Sequence, residues 1–247
     1  MAVGDPVIDS GAVDAVLFDM DGVLTDTAAT HMTAWTRLFD EALPAVSGRD
    51  QEPFTPEDYR RLVDGRARID GVVAVLADRG IDLPLGSIDD PPGTGTAWAL
   101  ANRKNQYFHE AIEAGGVDNF PSSIALLDAV RARRVATAVV TASRNRAEIL
   151  ESAGLADRFD ATVDGTDIED LGLPGKPDPA TFLEAARRLG TDPGRAVVIE
   201  DAVSGVAAGR AGGFGLVIGV ARHDDPEALR DAGADAVVAD LAEVKVR

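Results

Sequence analysis

Five short, nearly continuous apolar runs constrain the fold of this chain more than any other feature. They are Ala15-Val16-Leu17-Phe18, Ala136-Thr137-Ala138-Val139-Val140, Ala196-Val197-Val198-Ile199, Leu216-Val217-Ile218-Gly219-Val220 and Ala236-Val237-Val238. A strand with one wet face would alternate apolar and polar residues. Unbroken runs rich in β-branched residues are what parallel strands show when helices cover both faces of the sheet. Helical spacing fills the intervals: Ile124, Leu127 and Val130 within 124–134, then 147–153 and 179–189. Strand and helix alternate from about residue 135 onward, which predicts a doubly wound α/β domain with a parallel, Rossmann-like sheet.

Residues 28–118 interrupt this alternation. Helical patterns cover 28–41, 56–79 and 97–113, and no convincing strand lies between them. A long Gly/Pro-rich stretch, 85–96, contains Asp89-Asp90-Pro91-Pro92-Gly93-Thr94-Gly95 and breaks the helices. The expected organisation is an α/β core formed by 1–27 and 119–247, with a helical cap, 28–118, inserted after the first strand. Only 5% of the residues are aromatic, so the core must rest on Ala, Val, Leu and Ile.

The formal net charge is −18, and no basic face is visible in the sequence. That argues against nucleic acid and against an anionic membrane surface as partners. There are no cysteines, so disulfides and thiolate metal sites are excluded. The N-terminal stretch MAVGDPVIDSGAVD has neither a basic start nor a long apolar run and does not read as a signal peptide. No segment approaches the ~20 apolar residues of a membrane span. A cytoplasmic monomer is the expectation.

Chemistry-bearing residues gather at the ends of the predicted strands, the edge where open α/β sheets bind ligands. Asp19 and Asp21, separated by one residue, leave the same face of an extended segment, and Gly22 allows a sharp turn. Glu200-Asp201 ends another buried run, followed by the small-residue helix start Ser204-Gly205-Val206-Ala207-Ala208-Gly209. Two acidic strand ends in one sheet suit a hard cation with oxygen ligands, and a carboxylate can also attack phosphorus. Thr141-Ala142-Ser143-Arg144-Asn145 offers hydroxyls and backbone N–H groups to a phosphate. Gly175-Lys176-Pro177-Asp178-Pro179 holds an ammonium on a stiff turn. Taken alone, the acidic pairs read more readily as a turn or a helix cap and Lys176 as a solvated loop lysine, while the Thr141 turn reads as readily as a helix cap.

In this order, and each after a strand, the four elements resemble the motifs of the haloacid dehalogenase superfamily. The resemblance spans about Asp14 to Val238, and the helical insert is similar to that family's C1-type cap. It implies phosphoryl transfer through an aspartyl phosphate. Asp19 would be the nucleophile and Asp21 the general acid/base. Mg2+ would be held by Asp19, the backbone carbonyl of Asp21, Glu200 and Asp201. Thr141 and Lys176 would bind the transferring phosphoryl group.

Within the insert the chain resembles the β-phosphoglucomutase branch. Thr25-Asp26-Thr27 leads to His31, with Ala34-Trp35 following. Val63-Asp64-Gly65-Arg66-Ala67-Arg68 resembles the substrate-specificity loop, and Asn102-Arg103-Lys104-Asn105 resembles the cap's RKN stretch. The resemblance implies substrate contacts for His31, Trp35, Gly65, Arg68, Lys104, Ser143 and Asn145, with Arg68 gripping the phosphate that is not transferred. The implied activity is conversion of β-glucose 1-phosphate to glucose 6-phosphate through glucose 1,6-bisphosphate. A phosphatase acting on a small sugar phosphate shares every core residue and is the alternative. A binding protein that had lost catalysis is disfavoured, because Asp19 and Asp21 are both present. Thr141 stands where the branch often has Ser, and Arg144 where Lys is common. The 85–96 stretch and the residues before Asp14 have no assigned role.

Overall fold

The computed structural model describes residues 6–222 and 226–247. Residues 1–5, part of the N-terminal stretch weighed above as a leader, lie outside the described residues, as do 223–225. In chain order the elements are β1 Val7–Ile8, β2 Ala15–Phe18, α1 Ala28–Ser47, α2 Pro56–Leu62, α3 Arg68–Asp78, α4 Ala97–Gly115, α5 Pro121–Ala132, β3 Ala136–Val140 and α6 Arg146–Ser152. They continue with β4 Ala161–Val163, α7 Gly165–Asp170, α8 Ala180–Leu189, β5 Ala196–Glu200, α9 Val203–Ala211, β6 Leu216–Val220, α10 Pro226–Asp231, β7 Ala236–Val238 and β8 Lys245–Val246. The chain divides into two compact units: Met1–Asp26 with Asp118–Arg247, and Thr27–Val117.

The first unit is built on a six-stranded, wholly parallel sheet of order β4-β3-β2-β5-β6-β7. All four residues of β2 and all five of β5 are buried, which is why both read as unbroken apolar runs. From β2 the chain builds outward to β3 and β4 on one side and to β5, β6 and β7 on the other. The strand order therefore reverses at β2, the switch point where such sheets open a crevice beyond their carboxyl ends. Phe18 pairs with Val139 of β3 and Ile199 of β5, so the next residues on all three strands emerge side by side.

Three strands were not visible in the sequence. β4 has three residues, of which only Val163 is buried, too few to show a period. β1 and β8 have two residues each and pair in parallel as a second small sheet. This assigns a place to residues 6–13. Ser10 donates from its N–H and hydroxyl to the Arg247 carbonyl (2.9 and 2.7 Å), and Arg247 pairs with Asp9 at 2.9 Å.

The second unit contains helices and no strand, with α4 packed against α1 and α3. Two boundaries differ from expectation. The 56–79 pattern is broken in two: Gly65 adopts φ +69°, in the left-handed region, and Ala67 is extended before α3 begins. α1 runs on past Glu41 and through Pro44 to Gly48, whose left-handed backbone (φ +65°) ends it. Trp35, Phe39 and Phe54 stack in succession, with centroids 5.3 and 4.8 Å apart. Among the described residues no helix is long and apolar enough to cross a membrane.

The terminal sheet generates a stability prediction. Ile8 is fully buried, so Ile8→Ala should destabilise the protein by about 2–5 kcal/mol in urea unfolding. Val7 on the same strand is 38% exposed, and Val7→Ala should cost far less, about 0.5 kcal/mol. Equal effects would show that the terminal pairing does not anchor the fold.

Candidate active site

Asp19 is the first residue past β2, and its N–H continues the ladder by donating to Ile199 at 2.9 Å. The chain then turns tightly: Gly22 donates to the Thr25 carbonyl at 2.8 Å and Thr25 Oγ1 to the Met20 carbonyl at 3.1 Å. Gly22 takes φ +84°, and a β-carbon there would fall 1.9 Å from Asp201 Oδ2. The turn thus requires glycine both for its backbone angle and for the space that Asp201 occupies. Glu200 ends β5 fully buried, with its Oε2 accepting the Ala202 N–H at 2.9 Å. A β-carbon at Gly205 would lie 1.6 Å from Glu200 Oε1, so the small residues at the start of α9 make room for this carboxylate.

Lys176 joins these groups. Its Nζ donates to Asp19 Oδ1 at 2.5 Å and to Glu200 Oε1 at 2.6 Å, and its side chain is only 2% exposed. The ring of Phe182 in α8 lies 4.9 Å from the ammonium. Burial pushes the Asp19 carboxyl well above the usual carboxylate range; the Lys176 charge works against this, and Glu200 and Asp21 add to it. Burial would lower the Lys176 ammonium, but Asp19 and Glu200 outweigh it and hold the group above the ordinary lysine value.

Asp19, Glu200 and Asp201 each offer a carboxylate oxygen, all within 4.8 Å of one another and all buried. Against three such carboxylates Lys176 supplies one positive charge. A divalent cation with a preference for oxygen donors fits both the remaining charge and the ligand type. The Glu200 and Asp201 carboxylates occupy space that a side chain at Gly22 or Gly205 would fill. The residues present therefore suit Mg2+.

Thr141, buried just past β3, donates its hydroxyl to Asp21 Oδ2 at 3.2 Å and accepts the Ser143 N–H at 3.0 Å. Ser143 Oγ in turn accepts the Asn145 N–H at 3.1 Å. The structure thus links Asp19, Glu200 and Lys176, brings Asp201 beside Gly22, and joins Asp21 to the Thr141–Asn145 turn. Arg144 pairs with Glu169 at 3.3 Å.

In the helical unit, Lys104 is buried with Nζ 2.6 Å from His31 Nδ1, and the His31 ring stacks on Phe108 at 4.0 Å. The ammonium also lies 5.1 Å from the Trp35 ring and 4.7 Å from that of Phe108. Trp35 itself is buried against Phe39. Arg68 opens α3, and its Nη2 reaches Asn102 Oδ1 at 3.5 Å. Gly65 lies in the turn before it, at the left-handed position described above. Sequence reading missed Phe182 and Phe108, and it placed Asn102 in the RKN stretch without giving it a role. Phe108 had a signal, since it follows Lys104 by one helical turn on α4; the other two meet their partners only through the fold.

A family model described as haloacid dehalogenase-like hydrolase matches residues 13–213. The beta-phosphoglucomutase of Mycobacterium bovis is 45% identical over 240 residues, which are 94% of this chain and 91% of that protein. An uncharacterized glycosyl hydrolase of Mycobacterium tuberculosis is 42% identical over 244 residues, 98% of this chain but 18% of that longer protein. A crystal structure of beta-phosphoglucomutase from Clostridium difficile shares the fold with a TM-score of 0.75, at 24% identity, over 94% of this chain and 92% of that one.

The buried ion cluster predicts the effect of Lys176→Met. Removing the ammonium while keeping its bulk leaves Asp19 and Glu200 buried without it, and should cost about 3–5 kcal/mol in unfolding measured without divalent cations. Added Mg2+ should recover part of this loss. A variant as stable as the parent without Mg2+ would contradict the charge balance described here.

Proposed function

Since the chain belongs to the haloacid dehalogenase-like hydrolases, in their β-phosphoglucomutase-like branch, we propose that it is a β-phosphoglucomutase working through an aspartyl phosphate. The observation that carries this reading is the 45% identity to a beta-phosphoglucomutase across nearly the full length of both chains. The intact cluster of Asp19, Asp21, Lys176, Glu200 and Asp201 supports it.

In this reading an Asp19 oxygen attacks the phosphorus of glucose 1,6-bisphosphate. The bond between phosphorus and the sugar oxygen breaks as Asp21 delivers a proton to that oxygen. For transfer in the other direction, Asp21 takes the proton from the sugar hydroxyl that attacks the phosphoaspartate. The Thr141 hydroxyl holds the Asp21 carboxylate and lines the phosphate turn with Ser143 and Asn145. Lys176 neutralises charge on Asp19 and on the transferring group. Mg2+, held by Asp19, Glu200, Asp201 and the Asp21 carbonyl, would supply further charge neutralisation at the phosphoryl oxygens. Arg68 and Lys104 bind the second phosphate, and His31 orients Lys104 through its Nδ1 contact.

The family's hydrolase description favours a second reading, a phosphatase releasing phosphate from a sugar phosphate. One experiment separates the two. The protein is incubated with Mg2+, β-glucose 1-phosphate and a trace of glucose 1,6-bisphosphate, and glucose 6-phosphate and free phosphate are followed together. The mutase reading expects rapid glucose 6-phosphate with little free phosphate; free phosphate alone supports the phosphatase. Asp19→Asn should abolish turnover in either case, and surviving turnover would remove the aspartyl-phosphate mechanism.

A further inference from the structure

The Gly/Pro-rich stretch 85–96 is tied down at several points. Asp90 Oδ2 accepts the Thr96 hydroxyl at 2.5 Å and the Ser87 N–H at 3.1 Å. Gly86, at φ +74°, turns so close that a β-carbon would lie 2.2 Å from the same Asp90 oxygen and 2.5 Å from Thr96 Oγ1. The N–H groups of Ala97 and Trp98 return to the carbonyls of Pro84 and Leu85, and that of Gly93 to Ala99. The stretch is thus an ordered loop closed on the first turn of α4.

Asn102, one turn further along α4, reads this loop with its side chain. Its Nδ2 donates to the carbonyls of Ile88 and Asp90, both at 2.8 Å. An amide has two N–H donors, and both are used on carbonyls that can only accept. The orientation of the amide is thereby fixed, and its oxygen is the atom that faces Arg68 Nη2, at 3.5 Å. A carboxylate could not replace this arrangement, because it would turn an acceptor toward two acceptors.

We propose that Asn102 is a positioning residue for the Arg68 guanidinium, and that the 85–96 loop sets its orientation. The loop carbonyls aim the amide, the amide oxygen aims one edge of the guanidinium, and the other edge is presented to anionic substrate. This rests on the reading of Arg68 as a grip on the second phosphate. It gives the loop a part in substrate specificity, because a fork held in one orientation discriminates a correctly spaced bisphosphate from other phosphate esters.

The test is a double-mutant cycle read by calorimetric binding of glucose 1,6-bisphosphate in the presence of Mg2+, so that it does not depend on turnover. Asn102→Ala should weaken binding by about tenfold, and Arg68→Ala by more. The Asn102→Ala/Arg68→Ala protein should bind within about twofold of Arg68→Ala alone, because Asn102 acts through Arg68. A purely structural role would instead lower the unfolding midpoint and weaken binding equally in both backgrounds. Asp90→Ala removes the side chain that closes the loop while keeping the backbone carbonyl that Asn102 contacts, and should weaken binding by about threefold. It keeps the proposal testable should Asn102→Ala fail to fold. An Asn102→Ala protein that binds like the parent, full additivity in the cycle, or an Asp90→Ala protein without effect would overturn the proposal. A parent protein that neither binds the bisphosphate nor makes glucose 6-phosphate would remove the mutase reading, and this inference with it. A parent that binds while the cycle shows no coupling would overturn the inference alone.

Discussion

The ammonium of Lys176 is held almost wholly out of water against Asp19 and Glu200, and much of the first unit can be read as what it takes to keep it there. Withdrawing ions from water costs several kcal/mol each, and the cost is recovered only where the geometry is good and the remaining lone pairs are satisfied. The backbone supplies part of this, through the Ala202 N–H on Glu200. The absence of two β-carbons supplies the rest, since Gly22 and Gly205 leave the space that Asp201 and Glu200 occupy. Either glycine exchanged for a residue with a side chain would drive a carboxylate out of place.

The sheet order does the remaining work. β2 lies between β3 and β5, and its in-register pairing with both brings three strand ends to one edge. Asp19, Thr141 and Glu200-Asp201 come from segments more than fifty residues apart in sequence, yet each is delivered by the end of a buried strand. Because the strands are covered on both faces, their register cannot slip without turning polar chain into the core. Precision at the site is therefore inherited from the apolar sheet.

This explains which features were legible in the sequence. β2, β3, β5 and β6 announce themselves because burial on both faces leaves a nearly unbroken apolar run, and β7, where only Val238 is buried, because all three of its residues are apolar. β4, three residues with Thr162 at the centre, and the two-residue strands β1 and β8 leave no apolar run to detect. The break at Gly65 was hidden from helical spacing, because one glycine inside a helical pattern is tolerated, and showed only in the resemblance of 63–68 to a loop; in the structure α2 stops at Leu62 and Ala67 is extended before α3. Asp19, Thr141 and Glu200-Asp201 could be picked out because each lies at the end of a readable strand; Lys176, expected after a strand, instead lies between α7 and α8 and was picked out by its Gly-Lys-Pro setting and the family resemblance. The contacts of Phe182 with Lys176 and of Asn102 with Arg68 were not, since they depend on how helices and loops pack, and neither residue type is diagnostic on its own.

The overall acidity of the chain gives these local arrangements their importance. With a formal net charge of −18, the far field opposes an anionic substrate. At physiological ionic strength that field is screened over about 8 Å. In the mutase proposed here, attraction for phosphate must then come from cations at contact distance, held in place beforehand. Lys176 is fixed by two carboxylates, Lys104 by an imidazole and two aromatic faces, and Arg68 by an amide whose own orientation is fixed by a loop. A cation held in this way has already lost its side-chain freedom on folding, so binding need not supply that entropy. On the proposed function, an acidic protein would in this way select phosphate esters by the placement of a few positive charges.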